Sequence, residues 1–303
     1  MPEGRGPAAG RFAEVWRSTE RRLREAGLGF GQGTEDAAQE AAWMLIHSLR
    51  LPLLESFARL PALQRRAVPA AAQARLEQLL RRRLRSRQPL AYLLGEAWLQ
   101  GRRFLADRRA IVPRSLLAEL LDDGLQRWLA QPPRSLADVC TGGGSLAVLA
   151  ALRWPQAQVQ ACDLSLPALQ LARDNLRLHG LEQRVRLCAG DLFEAFDADA
   201  RFDLVLCNPP YVNARSMAAL PPEFRHEPRM ALAGGADGMD LVRRLLRQAP
   251  ARLRPGGLLV LEIGHEREHF ARAFPQLQVH GLHTRSGVDG VLAIEARALG
   301  VAA

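Results

Sequence analysis

The chain reads as an α/β protein in which a small N-terminal helical domain and a β-hairpin connector precede a doubly wound, seven-stranded sheet. Three observations predict this. After Leu116, short apolar runs alternate with amphipathic stretches, the pattern of parallel strands joined by helices. The first of those runs passes directly into Thr141-Gly142-Gly143-Gly144, a glycine-rich strand-to-helix turn. Before about residue 90, apolar residues recur instead at helical spacing.

Composition narrows the class further. With 303 residues, 48% of them hydrophobic, the chain has material for a real core, which excludes a wholly disordered protein. Its 41 basic residues are all arginine, and with the many alanines and leucines this reads as genome-level codon bias, so the net charge of +9 says little in itself. Its distribution says more: residues 1–115 hold 21 arginines against 11 acidic residues, a net of +10, while the remainder is close to neutral. No apolar run approaches the roughly 20 residues of a membrane helix, and the opening Pro2-Glu3-Gly4-Arg5-Gly6 lacks a signal-type stretch, so a cytoplasmic chain is expected. Cys140, Cys162, Cys188 and Cys207 are too widely spaced for a paired zinc motif, and free thiols and no metal are expected.

In chain order, Phe12, Val15, Trp16 and Leu23 predict a helix over 11–26 that stops at Gly27. Thr34, followed by Glu35 and Asp36, is the expected N-cap of a second helix reaching Leu49. Leu76, Leu79, Leu80 and Leu84 predict a third over 69–87, carrying Arg75, Arg81, Arg82, Arg83, Arg85 and Arg87 as a solvated face. Residues 1–90 are read as a helical substrate-recognition domain. From Pro89 to Arg114, Tyr92, Trp98, Phe104, Ile111 and Val112 around Gly95 and Gly101 suggest short strands and a hairpin, so 91–115 is the connector. Over 116–303, strands are expected at 135–140, 157–162, 184–188, 202–207, 257–263, 277–282 and 290–295, with helices at 145–152, 166–179, 239–253 and 266–274.

The chemistry-bearing residues fall at strand ends. The glycine turn follows Asp138, the second strand ends at Asp163, where a carboxylate can accept hydrogen bonds from a ribose diol, and the third is followed by Asp191-Leu192, suited to an adenine edge. Those features fit either a nicotinamide dinucleotide or S-adenosylmethionine. The fourth strand decides between them, because it ends Cys207-Asn208-Pro209-Pro210-Tyr211. Two successive prolines fix the backbone, remove two N–H donors and leave carbonyls free to accept.

With that motif the sequence resembles class I S-adenosylmethionine-dependent methyltransferases that act on planar nitrogens, a group holding amino-base DNA enzymes and the glutamine N5-methyltransferases of translation proteins. Tyr92-Leu93-Leu94-Gly95-Glu96 and Val112-Pro113-Arg114-Ser115 resemble the hairpin and lead-in of the glutamine enzymes. Arg225-His226-Glu227-Pro228 with Gly234-Gly235-Ala236-Asp237-Gly238 resembles their substrate-side loop, and Leu261-Glu262-Ile263-Gly264 their fifth strand. The Pro-Arg-Ser and Arg-His-Glu-Pro forms are most similar to the subfamily acting on large-subunit ribosomal protein three. Gly143 departs from the usual Ser or Thr, which should loosen the loop, and Leu99 and Leu116 depart from that subfamily's Phe and Pro.

The resemblance implies S-adenosylmethionine as cofactor, held by Thr141, Gly142, Gly144, Asp163, Leu164, Asp191, Leu192 and Asn208, and a catalytic set of Asn208, Pro209, Pro210 and Tyr211. In it, the Asn208 side-chain oxygen and the Pro209 carbonyl each accept one N–H of the substrate carboxamide, and Tyr211 packs against the amide or faces the charge developing on nitrogen. The expected partner is a ribosomal protein, with no membrane and with RNA contact not favoured. Glutamine methylation of peptide release factors, amino-group methylation of a nucleic-acid base and a non-catalytic RNA-binding module are the alternatives. His226 and Glu227 are read as surface residues ahead of catalytic ones, and Glu262 as either near the site or a strand-end cap.

Overall fold

A computed structural model describes residues 10–121, 124–285, 287 and 290–300. The described residues separate into two compact units, one made of those up to 95 together with 221–226 and the other of those in 96–220 together with those from 227 onward.

The first unit is helical. Helix α1 (Phe12–Glu25) buries Phe12 and Leu23, α2 (Ala37–Ser48) is buried along most of its length, and short helices α3 (Leu53–Ala58) and α4 (Leu60–Leu63) lead to α5 (Ala70–Ser86) and α6 (Leu90–Leu94). Two expectations change here. Asp36, not Thr34, caps α2 by accepting the Gln39 N–H at 2.8 Å, while the Thr34 hydroxyl donates to Glu40 at 3.2 Å. Tyr92 lies on α6, whose left-handed stop at Gly95 (φ 75°) ends the helical unit.

The second unit begins with the hairpin of β1 (Glu96–Leu99) and β2 (Arg102–Leu105); Ile111 and Val112 stay outside it. Helix α7 (Leu117–Leu120) precedes a sheet whose strands in chain order are β3 (Ser135–Val139), β4 (Gln158–Asp163), β5 (Val185–Ala189), β6 (Phe202–Cys207), β7 (Leu253–Glu262), β8 (His280–Leu282) and β9 (Val291–Glu295). Their spatial order is β5-β4-β3-β6-β7-β9-β8, with β5 through β7 parallel and β9 antiparallel to both its neighbours. Helices α8 (Ser145–Arg153), α9 (Leu166–Leu178), α10 (Ala214–Ala218), α11 (Asp240–Gln248) and α12 (Arg267–Ala273) connect them. Helix α11 is shorter than expected because Pro250 has no N–H to continue it, so one 3-10 turn intervenes before β7 starts at Leu253.

Period-two alternation divides the core. Leu136, Leu204, Leu206, Leu258 and Val260 pack with α8 on one face, while Ala137, Val139, Val205, Cys207, Leu259 and Leu261 pack with α11 and α12 on the other. Sheet order reverses between β3 and β6, and at such a switch point the carboxyl ends of adjacent strands open a crevice.

Candidate functional site

A cavity of about 300 Å³ lies in that crevice, wholly within the second unit. Its first wall is the β3–α8 turn. Cys140 (φ 62°) and Gly142 (φ 54°) both take left-handed conformations there, and a side chain at Gly144 would meet Ala172 Cβ at 3.0 Å. Asp138, fully buried, ties the turn to the first turn of α8: one carboxylate oxygen accepts from the Thr141 hydroxyl at 2.5 Å and from the Ala147 N–H at 2.9 Å. Burial pushes its carboxyl up to about 7. At Gly143 the Asn175 amide donates to the backbone carbonyl at 2.8 Å, and a Cβ there would sit 3.3 Å from Leu171.

Asp163 closes the same wall. Its two oxygens accept the Gly142 N–H at 2.9 Å and the Ser165 N–H at 2.8 Å, and burial raises its carboxyl above the usual range. Asp191 and Leu192 line the next stretch, and Arg244 on α11 holds the Asp191 carboxylate at 2.6 Å. Asn208 and Pro210 form the facing wall together with Pro228, Met230, Gly234 and Gly235. Leu164 and Met230 leave large apolar side chains 61% and 51% exposed at the cavity, surface that a ligand can cover.

Of the sequence-predicted residues, Gly142, Asp163, Leu164, Asp191, Leu192, Asn208 and Pro210 therefore line one cavity. Thr141, Gly144, Pro209 and Tyr211 do not. Tyr211 stands behind the wall. Its hydroxyl donates to Glu262 Oε1 at 3.3 Å, and the other Glu262 oxygen accepts from the Ser115 hydroxyl at 2.5 Å. Burial raises both the Tyr211 phenol and the Glu262 carboxyl. The glycines of the 234–238 turn have a steric reason: a Cβ at Gly234 or Gly238 would strike the Tyr211 backbone at 2.7 or 2.2 Å, and one at Gly264 would strike its ring at 2.5 Å. Beyond Tyr211, the Val212 N–H donates to Leu232 and the Gly234 N–H to Val212, so the strand-end motif and the glycine turn are stitched together.

Glu227 is a brace. Buried, it accepts the Val112 N–H at 2.9 Å and a two-pronged contact from Arg114, holding the lead-in against the acceptor-side loop. Sequence reasoning missed Arg109, which lines the cavity while paired to Asp107 and Asp174, and Arg244. Arg244 carries no local signal, because its partner Asp191 lies 53 positions away, whereas Arg109 has Asp107 two positions before it and Asp174 65 positions on. Among the described residues no cluster of three metal-type ligands occurs, and no helix is long and apolar enough to cross a membrane.

Residues 14–95 match the family model of the PrmC N-terminal domain, and residues 116–236 that of the methyltransferase small domain. A Bordetella pertussis protein is 52% identical over 276 residues, covering 89% of this chain and 90% of its own. A Burkholderia pseudomallei protein is 47% identical (92% of each chain), and a Neisseria gonorrhoeae protein 43% identical (91% of each). All three carry the name ribosomal protein uL3 glutamine methyltransferase.

Proposed function

The chain belongs to the family of ribosomal protein uL3 glutamine methyltransferases, and from that footing we propose that it transfers a methyl group from S-adenosylmethionine to the side-chain nitrogen of a glutamine in uL3. One observation carries the reading: Asn208 and Pro210 share a single cavity with Gly142 and Asp163, so an acceptor-orienting motif faces a cofactor-type turn across one small space.

The residues fit the cofactor. Asp163 offers a carboxylate to a ribose diol, Leu164 and Leu192 offer apolar surface to a purine, and Gly142 presents backbone with no side chain in the way. When bound, S-adenosylmethionine supplies an already activated methyl group.

The chain's own work is then positioning. An amide nitrogen is a weak nucleophile because its lone pair is delocalised into the carbonyl. Asn208, on the cavity wall, accepts a carboxamide N–H, fixes the plane of the amide and favours pyramidal character at nitrogen as the new bond forms. Tyr211 and Glu262 hold the Asn-Pro-Pro backbone from behind, and the Arg114–Glu227 brace holds the loop opposite. No strong base precedes attack; as the carbon–nitrogen bond forms, the methyl–sulfur bond would break to leave a neutral thioether, and the nitrogen, acidic only then, gives up its proton to water.

The test is transfer from labelled cofactor to purified uL3, to a peptide release factor and to duplex DNA. A gain of about 14 Da on one glutamine of uL3 is expected. Transfer to the release factor or to DNA with uL3 untouched would replace the substrate assignment.

A further inference from the structure

Helix α5 carries its arginines in two sets. Arg83 is buried and donates to Glu40 at 2.7 Å, Arg75 donates to the Ser48 carbonyl at 2.9 Å, and Arg87 at the C-cap donates to Gly27 at 2.8 Å. Those three build the helical unit. Arg81, Arg82 and Arg85 do not. With Gln78 they stand at i, i+3, i+4 and i+7, which places all four on one face, where they line a shallow groove together with Ser86, Gln88 and Leu93.

No carboxylate lines this groove. Glu77, 3.6 Å from Arg81, is already engaged by both terminal nitrogens of Arg22, at 2.6 and 3.1 Å, and Arg82 and Arg85 have no ionic partner among the described residues. Arg81 with Arg85, and Arg82 with Arg85, are like charges at helical contact spacing, an arrangement that weakens a helix until an anion covers it. A single carboxylate would answer one guanidinium; a row of phosphates at chain spacing answers all three, while Gln78 and Gln88 can hydrogen-bond sugar hydroxyls and Leu93 can cover a sugar face.

Resting on the reading that the substrate is a ribosomal protein, we propose that this groove binds the phosphodiester backbone of RNA, specifically the ribosomal RNA that accompanies uL3. The proposal departs from the sequence expectation of a merely solvated face because Arg75, Arg83 and Arg87 are spent on internal contacts, whereas Arg82 and Arg85 have no ionic partner among the described residues and Arg81 shares Glu77 with Arg22.

The test uses the full chain, a labelled ribosomal RNA fragment that binds uL3, and the triple variant Arg81→Gln, Arg82→Gln, Arg85→Gln. All three side chains are exposed, so the fold should survive, checked by an unchanged thermal melt. The variant should bind the fragment at least tenfold more weakly, with the slope of log affinity against log salt reduced by about 2 to 3, roughly 0.7 to 0.9 per lost phosphate contact. It should methylate free uL3 at the wild-type rate while its KM rises for uL3 on RNA. The exposed pair Arg65→Gln, Arg66→Gln serves as control. An unchanged affinity and slope overturns the proposal, as does an equal loss in the control, which would mean diffuse attraction, or equally strong groove-dependent binding of polyglutamate, which would mean an acidic protein partner. Failure of wild type to methylate free uL3 would instead strike the substrate assignment, and the salt titration stands apart from that result.

Discussion

The two walls of the cavity are built by different means. On the side of β3, β4 and β5, the bonds that shape the wall join residues close in sequence: Thr141 and Ala147 to Asp138 over 3 and 9 positions, and Gly142 to Asp163 over 21. On the side of β6 and β7, Tyr211 reaches Glu262 over 51 positions, Glu227 reaches Val112 over 115, and Ser115 reaches Glu262 over 147. The first wall is one strand-turn-helix unit plus its neighbours, tied at the glycine turn by local bonds to Asp138 and Asp163, with longer-range ties from Asn175 to Gly143 and from Arg244 to Asp191 at its edges. The second is assembled from three distant segments and rests on side chains. Substitutions on the first should therefore change cofactor affinity, and substitutions on the second should change turnover.

The largest expected effect is at Asn208, the second wall's contact with the acceptor. Asn208→Ala should cut turnover by about a hundredfold or more, as for loss of one preorganised hydrogen-bonding group, while calorimetry finds most cofactor affinity retained. Equal losses in turnover and cofactor affinity would erase the distinction between the walls.

Asp163→Ala makes the opposite test. It should weaken S-adenosylmethionine binding by about 1 to 3 kcal/mol, because ribose hydroxyls lose an acceptor and the Gly142 and Ser165 N–H groups lose theirs. Turnover at saturating cofactor should change little. Unchanged calorimetric affinity in a folded variant would remove Asp163 from the cofactor set.

A smaller effect sharpens the account of the second wall. Tyr211→Phe should lower turnover by roughly tenfold, about the worth of one hydrogen bond, and Ser115→Ala by less. Both act through Glu262, so the double variant should fall short of the product of the single losses. Multiplicative losses would show that Tyr211 and Ser115 act independently. Glu262→Gln keeps the shape and an acceptor and should retain more turnover than Glu262→Ala.

The same contrast explains what could be read in advance. The alternation of apolar runs and helical stretches placed every strand of the sheet within a few residues, because burial on both faces leaves near-continuous apolar runs in β6, β7 and β9 and shorter apolar stretches in the strands beside them. Gly142 and Asp163 were visible because their spacing reflects one βα unit. Glu227, Glu262 and Arg244 were not assignable, since a charged residue's role depends on a partner that the fold alone brings near. Thr34 failed as a cap for a related reason: Thr34 and Asp36 both suit the position, and the buried Glu40 takes the Thr34 hydroxyl.

A further expected effect falls on stability, not turnover; it concerns pH and again separates the walls. In the second wall both Glu262 oxygens are hydrogen-bonded, whereas in the first only one Asp138 oxygen is, and Oδ1 has no partner among the described residues. With nothing to stabilise charge on that oxygen, burial holds the folded carboxyl at about 7, against about 4 in an unfolded chain. Between those values the folded protein keeps a proton that the unfolded chain has released. The contribution of Asp138 is thus complete below about pH 4 and is lost as pH rises through about 7. Asp138→Asn cannot ionise, yet its carbonyl can still accept from Thr141 and Ala147. Its melting temperature should therefore lie below wild type at pH 5 and close much of that gap by pH 8, with the wild-type curve supplying the slope. Parallel curves would mean that Asp138 titrates alike in both states, and that the first wall is as fully compensated as the second.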